Sequence, residues 1–107
     1  MLEILKDRKI SILMPNYNYS KFIGRAIQSI LSQSYGNWQL IVVDDGSSDD
    51  SVDIINSFIK KGDDRIKLIT QSNQGQSHAL NRALEFASGE FICWLNSDDY
   101  FFEDSFK

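Results

Sequence analysis

Leu40-Ile41-Val42-Val43-Asp44-Asp45-Gly46-Ser47-Ser48 is an apolar run that stops abruptly in a polar turn. Its hydrophobic residues are consecutive and do not alternate, which is the pattern of a strand covered on both faces, as in a parallel sheet. A strand is therefore predicted over Gln39 to Val43. The Asp-Asp-Gly-Ser-Ser segment after it is turn chemistry that also offers N-caps to a following helix. In that helix Val52, Ile55, Phe58 and Ile59 form the apolar stripe, and Lys60-Lys61-Gly62 suits its end.

The same alternation extends in both directions. Upstream, Ile10 to Met14 reads as a strand that Pro15 should close, because proline cannot donate to a central ladder. Between the two strands, Phe22, Ile23, Ala26, Ile27, Ile30 and Leu31 recur at helical spacing. Ser20 is the expected N-cap of that helix, and its stop is expected near Tyr35-Gly36. Downstream, Ile66 to Thr70 is a third strand and Gln71 to Gly75 a polar loop. A helix carrying Ala79, Leu80, Ala83, Leu84 and Ala87 follows, stopped by Gly89, and Phe91 to Leu95 is the fourth strand. Strand and helix alternate throughout, which predicts a three-layer α/β/α fold around a mainly parallel sheet. At 107 residues the chain is a single domain.

Composition narrows the function. The formal net charge is −4, so no basic stripe exists to neutralise the phosphates of a nucleic acid. Apolar runs such as Leu40 to Val43 are far too short to span a bilayer. The first residues include Glu3, Lys6, Asp7, Arg8 and Lys9, without the apolar stretch of a signal peptide. The single cysteine, Cys93, reads as a buried strand residue and fits a reducing compartment, so a cytoplasmic location is expected.

Ligands of open α/β sheets bind outside the carboxyl ends of the strands. Three polar clusters fall there: Asn16 to Ser20, Asp44 to Ser48, and Asn96 to Asp99. Asp44, Asp45, Asp98 and Asp99 follow two different strands, and a parallel sheet can bring both pairs to one cleft. Two carboxylates about 5 Å apart repel by roughly 3 kcal/mol at an effective dielectric near 20. Such a gathering calls for a cation, a proton or hydrogen-bond donors, and oxygen-only ligands select Mg²⁺ or Mn²⁺, commonly shared with substrate phosphates. The chemistry implied is transfer from a phosphorylated donor, with the metal stabilising the leaving phosphate. Each cluster alone also makes a good turn; both at strand ends, two β-α units apart, point to a site.

Other residues carry less. His78, the only histidine, is expected on a helix surface, and Trp38 and Trp94 are expected in packing. Tyr17 and Tyr19 are likewise expected in packing, although they sit at the cleft edge and could stack on a base. No Gly-rich phosphate loop and no Gly-x-Gly-x-x-Gly is present. A receiver-like signalling module, the alternative reading, needs a carboxylate after the third strand, where Thr70-Gln71-Ser72-Asn73 stands. A sugar-phosphate nucleotidyltransferase needs an early Gly-rich basic loop, where Pro15-Asn16-Tyr17-Asn18 stands.

These blocks resemble a known family. Ser11 to Asn18, Leu40 to Ser47, Asn73-Gln74-Gly75 with Ala79 and Asn81, and Ser88 to Ile92 followed by Asn96-Ser97-Asp98-Asp99 resemble family 2 glycosyltransferases. The resemblance implies a GT-A fold and inverting transfer of a sugar from a nucleoside-diphosphate donor, a UDP-sugar first among them. The acceptor would be a sugar or lipid-linked hydroxyl. Pro15, Asn16 and Tyr17 would line the nucleoside pocket, Asp45 would hydrogen-bond the base with Asp44 beside it, and Asp98 would contact the ribose. Asp99 would ligate Mn²⁺ or Mg²⁺. The chain departs from the family where Asn96 replaces an aspartate and Leu80 an arginine, for which Arg82 is a candidate substitute. The family's general base lies well beyond the acidic motif, so it is expected after Lys107. Residues 1–107 are thus expected to be the nucleotide-sugar-binding half of a catalytic domain, a truncated one without turnover. No membrane segment is expected in this chain, and the intact protein could sit peripherally on the inner membrane face. A cluster at Tyr100-Phe101-Phe102 and Phe106 is expected to promote self-association.

Overall fold

The computed structural model describes residues 8–98. Four strands and three helices alternate: β1 (Ile10–Asn16), α1 (Ser20–Leu31), β2 (Trp38–Asp44), α2 (Ser51–Lys60), β3 (Ile66–Thr70), α3 (Gln76–Leu84) and β4 (Phe91–Trp94). All strand pairs are parallel, and the sheet order is β3-β2-β1-β4. The chain moves from β1 outward to β2 and β3, then returns to place β4 on the other side of β1. That reversal makes the carboxyl ends of β1 and β4 a topological switch point, where such sheets bind ligands.

Alternation along each strand divides the core into two layers. Ile12 and Met14 of β1 with Leu40 and Val42 of β2 pack under Ile23, Ile27 and Ile30 of α1 and Ile55 of α2. Leu13, Ile41, Val43 and Ile69 face the opposite way, under Ala79 and Ala83 of α3. The consecutive apolar run of β2 is thus explained: Leu40, Ile41, Val42 and Val43 are each fully buried, two toward each helical layer.

The strand boundaries differ from expectation at Pro15, which lies inside β1 opposite Val43. Carbonyls of residues 9 and 13 accept from β4-side N–H groups, those of Phe91 and Leu95, so odd residues of β1 face β4. Pro15 faces that way too, but β4 ends at Trp94, opposite Leu13. The missing donor therefore falls beyond the last ladder bond, where it costs nothing.

Helix α1 also differs, ending at Leu31, short of Tyr35. Gln33 closes it by donating its N–H to the Ile30 carbonyl and its side-chain amide to the Ser29 carbonyl at 3.1 Å. Ser20 is the first helical residue and makes no side-chain cap; its N–H donates to the Asp49 carboxylate at 3.0 Å. Asp49 also accepts the N–H and hydroxyl of Ser51, the first residue of α2. One carboxylate from the β2–α2 turn therefore caps two helices.

Gly89 is where α3 returns to the sheet. A Cβ built on it would lie 2.7 Å from the Ser11 N and 2.8 Å from the Lys9 carbonyl oxygen. Its N–H donates to the Ser11 hydroxyl at 2.8 Å. Trp38 packs in the core under the Arg65 guanidinium, 3.8 Å from its ring centre. Trp94, expected in packing, is instead 54% exposed beside Ile92, also 54%. Both lie on the α3 face of edge strand β4, past the reach of α3. The aromatic cluster at Tyr100-Phe101-Phe102 and Phe106 lies outside the described residues.

Candidate nucleotide-binding site

A cavity of about 440 Å³ opens at the switch point. Pro15, Asn16, Tyr17 and Tyr19 line it from the end of β1, and Asn96, Ser97 and Asp98 from the end of β4. Asp45, Asn73, Gly75, Gln76 and Ala79 complete the wall between β2 and α3. Five of the six expected nucleotide-contacting residues thus converge: Pro15, Asn16, Tyr17, Asp45 and Asp98. Asp99, the expected metal ligand, lies outside the described residues.

Asp44 does not line the cavity. It follows Leu40 and Val42 on the α1–α2 side of β2, so pleating turns it away from its neighbour Asp45. Only 1% exposed, it accepts the Ser47 N–H at 2.9 Å, the Ser47 hydroxyl at 2.7 Å and the Asn16 amide at 2.9 Å. In place of the nucleotide contact expected of it, Asp44 braces the turn and orients Asn16. Because a carboxylate only accepts, the Asn16 Nδ2 must face Asp44, which leaves Asn16 Oδ1 buried without a partner among the described residues. Ser97 Oγ, on the neighbouring strand end, is likewise buried with no partner among the described residues.

Asp45 is 3% exposed and collects donors from the β3–α3 loop. Oδ1 accepts the Gln71 side-chain amide and the Gln74 N–H, both at 2.8 Å. Oδ2 accepts the Gly75 N–H at 2.9 Å and the Asn73 amide at 3.3 Å. Burial alone would push its pKa up, but the bonds from Gln71, Gln74 and Gly75 outweigh that and hold it below the usual carboxylate range. Gly46 permits this closeness. Its φ is +80°, and a Cβ there would approach the Asn73 N to 2.9 Å.

The β3–α3 loop, in sequence a polar connection over Gln71 to Gly75, thus supplies the donors of the site. Its signal was compositional: four amide or small polar residues facing an acidic turn. Gln76 extends the wall, donating to Asn96 Oδ1 at 2.9 Å across the cavity mouth. His78 is exposed on α3, as expected, with Nδ1 3.4 Å from Gln71 Oε1. Arg82, the candidate cationic contact, does not reach the cavity; it pairs with Glu85 at 3.7 Å and lies over Phe86.

No lysine or arginine is among the described lining residues. Among the described residues, no group of three His, Cys, Asp or Glu side chains could hold a metal by itself. A diphosphate entering this cavity meets Asp45 and Asp98 and, among the described lining residues, no cation, so a divalent ion held by one or two carboxylates and the phosphates themselves fits the donor set.

The carboxylates also set an acid limit. Asp49 resembles Asp45: burial raises its pKa, and bonds from Ser51 and the Ser20 N–H bring it below the usual value. Groups with depressed folded pKa values contribute stability that is complete above the unfolded value, about 3.9, and lost as pH falls through the folded values beneath it. Urea unfolding midpoints are expected to hold between pH 7 and about 5 and to fall steeply below about pH 4. A flat profile down to pH 3 would show that these bonds do not favour the ionised forms.

Comparison with known proteins bears on this arrangement. The model of the family described as glycosyl transferase family 2 matches residues 11–107. An uncharacterized glycosyltransferase of Haemophilus influenzae is 48% identical over 99 residues, covering 92% of this chain and 39% of the relative. The Escherichia coli UDP-Glc:alpha-D-GlcNAc-diphosphoundecaprenol beta-1,3-glucosyltransferase WfgD is 45% identical over 96 residues, covering 89% and 37%. Among solved structures, Staphylococcus aureus TarS in complex with UDP-GlcNAc superposes with a TM-score of 0.80 at 32% identity, covering 86% of this chain and 27% of that one. The mannosyltransferase PcManGT of Pyrobaculum calidifontis, in complex with GDP-Man and Mn²⁺, gives 0.80 at 28% identity, covering 88% and 28%. The chain thus spans well under half the length of the curated relatives it matches.

Proposed function

The chain belongs to glycosyl transferase family 2, and from that premise we propose that residues 1–107 are the nucleotide-sugar-binding half of an inverting, metal-dependent glycosyltransferase. One observation carries the reading: Pro15, Asn16, Tyr17, Asp45 and Asp98 line a single cavity at the switch point, and no lysine or arginine is among its described lining residues. Pro15, Asn16 and Tyr17 wall the nucleoside, Asp45 receives a base N–H, Asp98 meets the ribose, and Asp99 holds Mn²⁺ or Mg²⁺. When bound, the ion would supply charge stabilisation to the departing diphosphate.

Asp45 can receive a base even though the protein already fills its acceptor sites. The Asn73 amide is shared between Oδ2 at 3.3 Å and the Asp45 main-chain oxygen at 3.1 Å. A base N–H at Oδ2 displaces the longer leg, and Asn73 keeps the shorter.

A UDP-sugar is the leading donor, since WfgD is named for UDP-Glc and TarS is solved with UDP-GlcNAc, while PcManGT carries GDP-Man. The WfgD name makes a lipid-linked sugar the leading acceptor and, with it, work at the inner membrane face. No described helix is long and apolar enough to cross a membrane. The general base is proposed to lie in the part of the longer relatives that this chain does not span. The test is calorimetric titration of UDP, GDP and ADP with Mn²⁺, then with chelator, on the native chain and on Asp99→Ala. One nucleotide should bind, only with metal, and at least about tenfold more weakly in the variant, equivalent to a lost ligand contact of about 1.4 kcal/mol. Metal binding without nucleotide preference would count against the reading, and a native chain that binds no nucleoside diphosphate, with metal or without, would end it.

A further inference from the structure

Tyr17 and Tyr19 form one flank of the cavity and are 47% and 40% exposed, so packing alone does not hold them. The residue between them, Asn18, has φ +56°, a left-handed conformation uncommon outside glycine. Its side-chain oxygen accepts the Ser48 N–H at 2.8 Å and the Asp49 N–H at 3.3 Å, and its own N–H donates to the Ser47 hydroxyl at 2.9 Å. Ser47 in turn is fixed by Asp44.

We propose that Asn18 is a positioning residue of the nucleoside pocket, presenting Tyr17 and Tyr19 to the cavity by tying the β1–α1 loop to the β2–α2 turn. This rests on the donor-site reading above. Two features of asparagine are used at once. Its short polar side chain tolerates the left-handed turn that directs successive tyrosines to one flank. Its amide oxygen spans to two consecutive backbone N–H groups that would otherwise face solvent. The chain between Asn16 and Ser20 is thereby fixed at both ends and in the middle: Asn16 by Asp44, Ser20 by Asp49, and Asn18 by Ser47, Ser48 and Asp49. A base entering beside Tyr17 meets a wall already ordered, so binding does not have to order it.

Three variants separate the contributions, with UDP and Mn²⁺ as the probe. Asn18→Gly keeps the backbone conformation and removes the acceptor; Asn18→Ala removes both; Asn18→Asp keeps an acceptor of the same reach. Asn18→Gly and Asn18→Ala are expected to weaken UDP binding about tenfold, roughly the loss of one or two hydrogen bonds, with Asn18→Asp within about threefold of native. Melting of Asn18→Gly should stay close to native, since the loop is exposed, and backbone amide exchange at Ser48 and Asp49 should accelerate. Asn18→Gly binding UDP as tightly as native, or Asn18→Asp binding as poorly as Asn18→Gly, overturns the proposal. A native chain that binds no nucleoside diphosphate fails at the earlier step and removes the donor-site reading on which the proposal stands.

Discussion

Gly89→Ala is expected to destabilise the fold by about 3 kcal/mol, lowering its melting temperature by roughly 12–24 °C. The added methyl would meet the Ser11 N and Ser11 Oγ at 2.7 Å and the Lys9 carbonyl oxygen at 2.8 Å. Two of these atoms are backbone, in β1 and in the residue just before it, and cannot rotate aside. Relief requires Gly89 to withdraw, which breaks its bond to the Ser11 hydroxyl and draws back the chain entering β4, where the Glu90 and Phe91 N–H groups donate to Lys9. The contrast is Gly24→Ala in α1, whose new methyl would meet only Ile54 Cγ2 at an ordinary 3.8 Å. That change should be neutral or stabilising by up to about 1 kcal/mol. Thermal melts of the two variants beside native check the argument. Equal melting temperatures would mean that the junction before β4 yields far more easily than close-packed backbone should.

Asp45→Ala is expected to abolish nucleotide binding, lowering UDP affinity more than about a hundredfold, and to cost about 2–4 kcal/mol of stability. Its carboxylate holds Gln71, Asn73, Gln74 and Gly75, so alanine strands two backbone donors at once and frees the wall between β2 and α3. Asp45→Asn should fall between. One of its oxygens becomes an NH₂ group that confronts two donors, while the other continues to accept. Calorimetry with UDP and Mn²⁺, paired with urea unfolding of each variant, separates loss of ligand from loss of fold. Binding within threefold of native in Asp45→Ala would show that this carboxylate neither meets the nucleotide nor shapes its wall.

Most of the fold was legible because burial on both faces leaves an unmistakable trace in Leu40 to Val43 and because Asp, Gly and Asn announce the turns. Ile66–Thr70 was bounded as the structure has it. Pro15 was misplaced because a ladder rule concerns the side a donor faces, and nothing local says that β4 ends before reaching it. Trp94 was misassigned because hydrophobicity reports a preference for cover without saying whether a neighbour supplies it. At the site, the two acidic clusters were visible, but their division of labour was not fully read. Strand alternation separates Asp44 from Asp45, sending one into the turn and the other to the cavity. The donors on Asp45 come from 26 to 30 residues away, a separation at which sequence carries no direct sign of pairing.

A helix end ordinarily frays on its own terms when its cap comes from the adjoining residue. Here the first turns of α1 and α2 lean on the same Asp49 carboxylate, although 31 positions separate Ser20 from Ser51. Whatever displaces or neutralises that carboxylate releases both at once. Two segments remote along the chain therefore share one local opening transition, and their first turns loosen or hold as a unit.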